Sequence, residues 1–262
     1  MARTRIMGVL NLTPDSFYDG GRYTHPREAV RHGHQMLAEG ADIIDIGGES
    51  TRPGAVEVPA EVECERVCAV VEALSRDCLV SIDTRHAQVA RAAVHAGARL
   101  INDVSASLAP VAADLGVGWV AMHMRGTPAT MQEAPHYDDV VAEVAHQLIS
   151  CAETAERLGV PEVFIDPGLG FGKTTAHNLA LVEAIDVLAG TGYPVLIGAS
   201  RKSFIGAVLG ITDPGQRLPG SLAVAVTAVA RGAAVIRTHD VAPTRQAVLI
   251  AEAVNAPALA HR

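Results

Sequence analysis

The sequence predicts an α/β protein built as a single-domain (β/α)8 barrel, the TIM barrel, over residues 1–262. Three observations support this prediction. Short β-type segments alternate with longer segments of helical periodicity, the strand–helix unit recurs eight times, and no linker, low-complexity stretch or charge block interrupts the alternation. Eight such units in a chain of this length suit a (β/α)8 barrel, whereas an open doubly wound sheet of eight strands is the alternative that the pattern leaves open.

The predicted strands are short and rich in Val, Ile and Leu, as expected for strands that are covered on both faces. In chain order they are "IMGVLN", "DIIDIG", "CLVSID", "RLINDV", "GWVAMH", "EVFIDP", "PVLIGA" and "AVIRTH". Helical segments between them include "PREAVRHGHQMLAEGA", "AEVECERVCAVVEALSR" and "YDDVVAEVAHQLISCAETAERLG". Glycines stand where a left-handed backbone commonly ends a helix before the next strand; they are Gly40, Gly97, Gly116, Gly159 and Gly232.

The composition excludes several classes of protein. Hydrophobic residues make up 49% of the chain and aromatic residues only 3%, so the core must be built from Ala, Val, Ile and Leu. The net charge of −8 argues against general binding of nucleic acid, which requires a basic surface. The N-terminal apolar run is too short for a signal peptide, and no apolar stretch has membrane-spanning length. We therefore expect a cytoplasmic protein with no membrane partner.

Polar residues stand at the ends of all eight predicted strands. The residues and segments at these ends are Asn11, "GGESTRPG", Asp83, Asn102-Asp103, His123, Asp166, "GASRKSF" and "IRTHD". A single acid after a strand is commonly a helix N-cap, and His123 fits a structural hydrogen bond as well as it fits a site. Because the carboxyl ends of barrel strands meet on one rim, where the chemistry of barrel enzymes is found, the eight polar ends together predict a functional site.

Charge is sorted along this rim. The ends of strands seven and eight supply Arg201, Lys202, Arg237 and His239. Cations beside the start of a helix indicate a bound anion, and barrels often hold a phosphate in this sector. The opposite sector supplies Asp83, Asn102 and Asp166, which suit a flat polar heterocycle with N–H donors along one edge. The sequence thus predicts a planar ring deep in the barrel and an anionic tail near its mouth.

Three loops complete the predicted site. The segments "NLTPDSFYDGGRYTH" and "GGESTRPGAVEV" are longer than usual βα connections, which favours lids. The segment "FIDPGLGFGKTT" only resembles a phosphate-binding loop, because Pro167 stands where GxxxxGK(S/T) requires its first glycine. What stands out in this segment instead is Asp166, which ends the apolar run before it.

These motifs resemble the dihydropteroate synthase family of the folate pathway. The matching segments occur in family order at family-like spacing from about residue 6 to 245, and they are "NLTPDSFYDGG", "DIGGESTRPGA", "SIDT", "INDVS", "MHMRGTP", "IDPGLGFGKT", "GASRKSF" and "RTHDV". The resemblance implies a (β/α)8 barrel, usually a homodimer and a target of sulfonamides. It also implies a transferase that joins 6-hydroxymethyl-7,8-dihydropterin diphosphate to 4-aminobenzoate and releases diphosphate with the help of Mg²⁺.

The resemblance also implies roles for individual residues. Asp166 would pair with the amino-pyrimidinone edge of the pterin, and Asn102 and Lys202 would contact the same ring. Asp83 would lie near the carbon on which positive charge develops. The implied catalytic residues are Asp83, Lys202, Arg237 and His239.

Further roles concern the other two ligands. Arg237 and His239 would hold the diphosphate, with Asn11 on the metal side and Thr51 nearby. The carboxylate of 4-aminobenzoate would meet Ser203, and its apolar walls would be Phe17, Pro53 and Phe171.

Two rival functions accompany this interpretation. One is a pterin-binding barrel that transfers a methyl group from a methylated folate to a corrinoid, and the intact "SRKSF" and "RTHD" argue against it. The other is a barrel that only binds a pterin or a partner, and the intact "NLTPDSF" and "GESTRPG" make it less favoured.

Overall fold

The computed structural model describes residues 3–13, 26–50, 58–127 and 130–256. The strands are β1 (Arg5–Asn11), β2 (Ile43–Gly47), β3 (Leu79–Asp83), β4 (Leu100–Asp103), β5 (Gly118–Met122), β6 (Val163–Asp166), β7 (Leu196–Ile197) and β8 (Val235–Thr238). The α-helices are α1 (Pro26–Ala38), α2 (Ala60–Leu74), α3 (Ala87–His95), α4 (Ala109–Leu115), α5 (Val140–Arg157), α6 (Thr175–Glu183), α7 (Ile185–Ala189), α8 (Ser203–Leu209), α9 (Leu218–Ala230) and α10 (Val241–Asn255).

The eight strands form one parallel sheet in the order β6-β5-β4-β3-β2-β1-β8-β7. A parallel bridge between Ile165 in β6 and Val195, just before β7, joins the two edges of this sheet. The sheet is thereby closed, which confirms the predicted (β/α)8 barrel and excludes the open doubly wound sheet. Strand seven is shorter than "PVLIGA" predicts, since only Leu196 and Ile197 belong to it.

The core has two layers, and both are aliphatic as the composition predicts. The larger cluster lies between the strands and the surrounding helices and is dominated by Ile, Val, Leu and Ala. The fully buried residues of a second cluster come from strands alone, which places it inside the barrel; they are Met7, Ile43, Leu100, Val120, Phe164, Leu196 and Val235. All five glycines expected to follow helices have positive φ angles, from 65° at Gly116 to 118° at Gly97.

No helix in the described part of the chain is long and apolar enough to cross a membrane.

Candidate active site

A polar layer lies directly above the apolar layer inside the barrel. Side chains two residues apart in a strand point to the same side, so the residue that follows each interior apolar residue by two also faces inward. Toward the carboxyl ends of the strands, each interior apolar residue is therefore followed by an interior polar one. The pairs are Ile43 and Asp45, Leu100 and Asn102, Phe164 and Asp166, and Val235 and Arg237. The sequence thus places its polar side chains at one depth of the barrel, at the predicted end.

Register aligns the ends of the first four strands. Asn11 of β1 is opposite Gly47 of β2, Gly47 is opposite Asp83 of β3, and Asp83 is opposite Asn102 of β4. The structure therefore brings together Asn11, Asp83 and Asn102, as expected from their positions at strand ends.

Arg237 is the centre of a buried network. Its Nε donates a hydrogen bond to Asp45 Oδ2 and its Nη2 donates one to Asp83 Oδ2, both at 2.6 Å. Asn102 Nδ2 donates to the same Oδ2 of Asp45 at 2.9 Å. Asp45 is wholly buried in the barrel interior. It is the hub that fixes Arg237 and Asn102 relative to each other.

The electrostatics of this network favour ligand binding. Burial raises the pKa of Asp83 to about 7, although the charge of Arg237 acts to lower it. Arg237 is partly buried, which acts to lower its pKa, but the carboxylates of Asp45 and Asp83 outweigh this effect and raise the pKa, so the guanidinium stays charged. The Oδ1 atoms of Asp45 and Asp83 are buried and have no hydrogen-bond partner among the described residues. Buried acceptors of this kind are expensive to leave unpaired, and a substrate donor is one way to satisfy them.

Asp166 and Lys202 face each other across the site. Asp166 is 5% exposed and accepts a hydrogen bond from the backbone N–H of Gly168 at 2.7 Å. Burial raises the pKa of this carboxyl, and Lys202 lowers it. Lys202 donates to the carbonyl of Leu169, and its Nζ lies 4.6 Å from the centre of the Phe171 ring. Burial lowers the pKa of Lys202 to about 8, with Asp166 acting in the opposite direction.

The segment from Asp166 to Lys173 ends in an inward-pointing lysine. Lys173 is 3% exposed, and its Nζ donates to the backbone carbonyls of His123, Gly168 and Phe171 and contacts His123 Nδ1 at 2.9 Å. Burial lowers the pKa of Lys173 to about 7 and that of His123 to about 3. His123, which the sequence left open, therefore makes a structural hydrogen bond, and its neutral ring accepts from Lys173.

The end of β8 and the start of α8 carry the other cations. Both the backbone N–H and the Nδ1 of His239 contact Ser200 Oγ, at 3.2 and 3.1 Å. Arg201, with a φ of 59°, pairs through Nε and Nη2 with the carboxylate of Asp240 at 2.9 and 2.5 Å. The sequence interpretation gave Arg201 to a bound anion, whereas the anion that it contacts in the structure is Asp240. Ser203 is the first residue of α8, directly after Lys202.

Three of the predicted site residues, Phe17, Thr51 and Pro53, lie outside the described residues. Phe171 is described, and it lies against Lys202 as noted above. Asn11 offers a neutral amide oxygen on the rim.

A second group of possible metal ligands lies on α2 and on the loops that follow β2 and β3. One ligand atom each from Glu49, Glu63 and His86 lies within 4.8 Å of the others. Glu49 is already bound by Arg85, through Nε and Nη2 at 3.0 and 3.1 Å, and by the backbone N–H of Val58 at 3.0 Å. Because Arg85 already supplies positive charge at these carboxylates, the group is better described as an ion-pair network that holds Glu49.

Sequence reasoning gave no role in the site to two residues that organise it, Asp45 and Lys173. Asp45 lies within an otherwise apolar strand, and that isolation is the signal that could have identified it as the partner of a buried cation. Lys173 was considered only as part of a failed phosphate-binding motif. Its burial depends on carbonyl groups, which leave no trace in a sequence.

A closed barrel whose interior carries these acceptors, with cations at one side of its rim, belongs to the class of pterin-binding barrels. A family model described as "Pterin binding enzyme" matches residues 7–239. The chain is also 44% identical to dihydropteroate synthase of Escherichia coli strain K12, over 97% of this chain and 92% of that protein. The chain belongs to the dihydropteroate synthase family.

Solved structures agree with this assignment. Dihydropteroate synthase of Yersinia pestis, solved with a sulfonamide drug complex, superposes with a TM-score of 0.93 at 43% identity over 97% of this chain and 95% of that chain. The enzyme of Xanthomonas albilineans, solved with 4-aminobenzoic acid, superposes with a TM-score of 0.90 at 48% identity over 98% and 94%.

Proposed function

We propose that this protein condenses 6-hydroxymethyl-7,8-dihydropterin diphosphate with 4-aminobenzoate to give 7,8-dihydropteroate and diphosphate. The observation that carries the proposal is the polar layer inside the barrel, where Asp83, Asn102 and Asp166 offer acceptors at one depth and Lys202 and Arg237 offer donors beside them. Relatives that share this barrel at more than 40% identity are named for the same reaction.

The pterin ring lies in this layer. Asp166 accepts hydrogen bonds from the amino-pyrimidinone edge, since its Oδ1 is held by the N–H of Gly168 and the carboxylate is fixed in orientation. Asn102 is fixed by Asp45 and contacts the same ring. Lys202 lies between the carbonyl of Leu169 and the Phe171 ring, from which its ammonium reaches a ring acceptor.

The diphosphate lies toward β8. Arg237 uses Nε and Nη2 on the two aspartates, and a guanidinium has a third donor nitrogen, Nη1, for a phosphate oxygen. His239 is oriented by Ser200 and lies one residue beyond β8. Both groups lower the charge of the leaving group, which is the main requirement for its departure.

The residues present fit Mg²⁺. This ion commonly takes one or two protein oxygens and completes its shell with water and phosphate oxygens. Asn11 offers such an oxygen on the rim, and its register neighbour Gly47 has no side chain to fill the space between Asn11 and Asp83. When bound, Mg²⁺ would neutralise charge on the diphosphate. Thr51 belongs to the same sector in the proposal.

The reaction is a dissociative displacement. The C–O bond of the pterin methylene breaks and its electron pair leaves with diphosphate, so positive charge develops on a carbon conjugated with the ring. The carboxylate of Asp83 stabilises that charge. The amine lone pair of 4-aminobenzoate then forms the C–N bond, and the amine loses a proton. Ser203 receives the carboxylate of 4-aminobenzoate, while Phe171, with Phe17 and Pro53, supplies its apolar walls.

We also propose a cytoplasmic homodimer. The helices α9 and α10 pack against each other and expose several large apolar side chains, which supports an interface there; these side chains are Val226, Leu249, Ile250 and Val254. Analytical ultracentrifugation would show a dimer for the wild type and a monomer for Ile250→Glu. A monomeric wild type at micromolar concentration would refute the dimer.

The test of the reaction is diphosphate release in the presence of Mg²⁺ and both substrates, with dihydropteroate followed in parallel. We expect Asp166→Ala and Arg237→Ala to lose orders of magnitude in kcat/KM. Asp114→Ala and Arg91→Ala are matched controls, because these two exposed residues pair with each other far from the barrel interior. If the wild type binds the pterin without releasing diphosphate, the proposed reaction is wrong and the protein is a barrel that only binds a pterin. Methyl transfer from a methylated folate would instead support the corrinoid-dependent function.

A further inference from the structure

We propose that Lys173 is a positioning residue for pterin recognition. Its ammonium fixes the conformation of the loop between Asp166 and Lys173. In that conformation the loop presents Asp166 and Phe171 to the substrate, and the carbonyl of Leu169 holds Lys202 beside them. This inference rests on the proposed function. It concerns a residue that touches the loop backbone and not the reacting atoms.

Convergent carbonyl groups surround the Lys173 ammonium. Its Nζ lies 3.1 Å from the carbonyl oxygen of Gly168, 2.9 Å from that of Phe171 and 3.2 Å from that of His123. His123 Nδ1 lies 2.9 Å from the same nitrogen, so the three protons of the ammonium are shared among four acceptors. The ammonium therefore ties two turns of the loop to the end of β5. Because Lys173 is 3% exposed, water cannot replace these bonds.

The loop backbone is pinned along its whole length. The carbonyls of Leu169, Gly170 and Gly172 accept from Lys202, Gln132 and Tyr137 respectively. The loop also lies so close to the end of β5 that a Cβ on Gly168 would come within 1.9 Å of the carbonyl oxygen of His123. Lys173 thus joins two carbonyls of the loop to the end of β5 at once.

Lysine is a rare choice in this chain. Among its 262 residues only Lys173 and Lys202 are lysines, and the other 19 fixed cations are arginines. Both lysines donate to carbonyls of the same loop. A compact ammonium with three donors suits carbonyls that converge from several directions, whereas a planar guanidinium suits paired oxygens in one plane. The two lysines thus stand where an ammonium contacts backbone carbonyls of this loop.

The consequence is selective for one part of the site. The loop carries Asp166 at one end and Phe171 near the other, and it supplies the carbonyl that holds Lys202. Arg237 and His239 are held by Asp45, Asp83 and Ser200, none of which contacts this loop through the bonds described. Loss of the Lys173 ammonium should therefore weaken pterin binding and spare diphosphate binding.

The test compares two ligands by titration calorimetry in the folded protein at pH 6, below the pKa of about 7 for Lys173, so that this residue is an ammonium. The ligands are 6-hydroxymethylpterin for the ring sector and inorganic diphosphate with Mg²⁺ for the anion sector. We expect Lys173→Met to lower pterin affinity at least about tenfold and to leave diphosphate affinity within about twofold, in line with the energy of several charge-assisted hydrogen bonds. Lys173→Arg should behave like Lys173→Met, since the guanidinium keeps the charge but does not fit the converging carbonyls. Arg157→Met is the matched control on the exposed end of α5.

Two milder variants provide the same test if Lys173→Met does not fold. Tyr137→Phe and Gln132→Ala each remove one neutral hydrogen bond to the same loop and should lower pterin affinity about fivefold, with diphosphate affinity unchanged. Equal loss of both ligands, or wild-type pterin affinity in folded Lys173→Met, would overturn the positioning role. If the wild type itself binds neither ligand, the proposed function fails and not the role of Lys173.

Discussion

The guanidinium of Arg237 donates a 2.6 Å hydrogen bond to the carboxylate of Asp83, and the same carboxylate keeps a second, unpaired oxygen in the barrel interior. This relationship links the anion sector of the site to the ring sector. In the proposed reaction, a phosphate oxygen binds Nη1 of Arg237 while Nη2 stays on Asp83, so the leaving group and Asp83 share one guanidinium. Departure of the leaving group and stabilisation of the positive charge that remains are then coupled through one pair of side chains.

The state of Asp83 should control activity on the acid side. Burial raises its pKa to about 7, and the carboxylate is the form that stabilises positive charge. We therefore expect kcat/KM to rise with pH through about 7, up to the fall above about pH 8 that the deprotonation of Lys202 causes. Asp83→Asn should lack this rise and lose about 100-fold or more, as other removed electrostatic groups do. A pH profile of both proteins checks this, with Asp114→Asn as control; an unchanged acid limb in Asp83→Asn would assign the titration to another group.

The two lysines should titrate far below ordinary lysines. Burial lowers the pKa of Lys202 to about 8 and that of Lys173 to about 7. Since the chain has only these two lysines, ¹³C-lysine labelling gives two NMR signals, which Lys202→Gln assigns. We expect kcat/KM to fall above about pH 8 as Lys202 loses its proton. Two signals that both titrate near 10.5, the ordinary value for lysine, would contradict the burial of these groups.

Glu63 should make stability depend on pH. Burial raises its pKa from 4.5 to about 7, so between these values the folded state holds a proton that the unfolded chain has lost. Stability attributable to this group therefore decreases as the pH rises from about 4.5 to 7. Glu63→Gln removes this dependence and should gain about 2 kcal/mol relative to wild type between pH 5 and pH 8.

The measurement for Glu63 is urea unfolding at the two pH values. Glu72→Gln, on the exposed face of the same helix, is the matched control and should show the pH dependence of the wild type. A Glu63→Gln variant that loses stability in parallel with the wild type would show that other buried acids dominate.

Asp103 is expected to be a structural residue. Its carboxylate accepts from the backbone N–H groups of Ser105, Ser107 and Leu108 and from Trp119 Nε1, at 2.6 to 3.2 Å. Asp103→Ala leaves these donors without an acceptor and should lower the free energy of unfolding by about 3–5 kcal/mol. Urea unfolding followed by the fluorescence of Trp119, the single tryptophan, measures it. Asp114→Ala should change the free energy of unfolding little. A loss as large as that of Asp103→Ala would show that the hydrogen bonds of Asp103 are not the cause.

The barrel architecture could be predicted because it depends on local patterns in the sequence. The alternation of apolar runs and helical segments predicts all eight strands, and glycines such as Gly97 mark the helix ends because only a residue without a Cβ adopts such backbone easily. The rule that barrel chemistry lies at strand ends identifies Asp83, Asn102 and Asp166 as neighbours. Register then brings Asp83 and Asn102 opposite each other.

Partners that are distant in the chain are not visible in the same way. Arg237 and Asp45 are separated by 192 positions, and nothing in either segment states that they meet. In the same way, the sequence could not show that Asp240 lies beside Arg201. The role of Lys173 depends on backbone carbonyls, which every residue has, so only the folded path of the loop identifies it.

The single bridge between Ile165 and Val195 has a further consequence for the enzyme at work. This bridge is the seam at which β6 and β7 close the barrel. On one side β6 ends at Asp166, and on the other side β7 leads into the segment that carries Lys202. The Lys202 contact with Leu169 already crosses the seam at the rim. In the proposed complex, a pterin bound by both residues spans this seam, so substrate binding and closure of the barrel draw on one shared free energy.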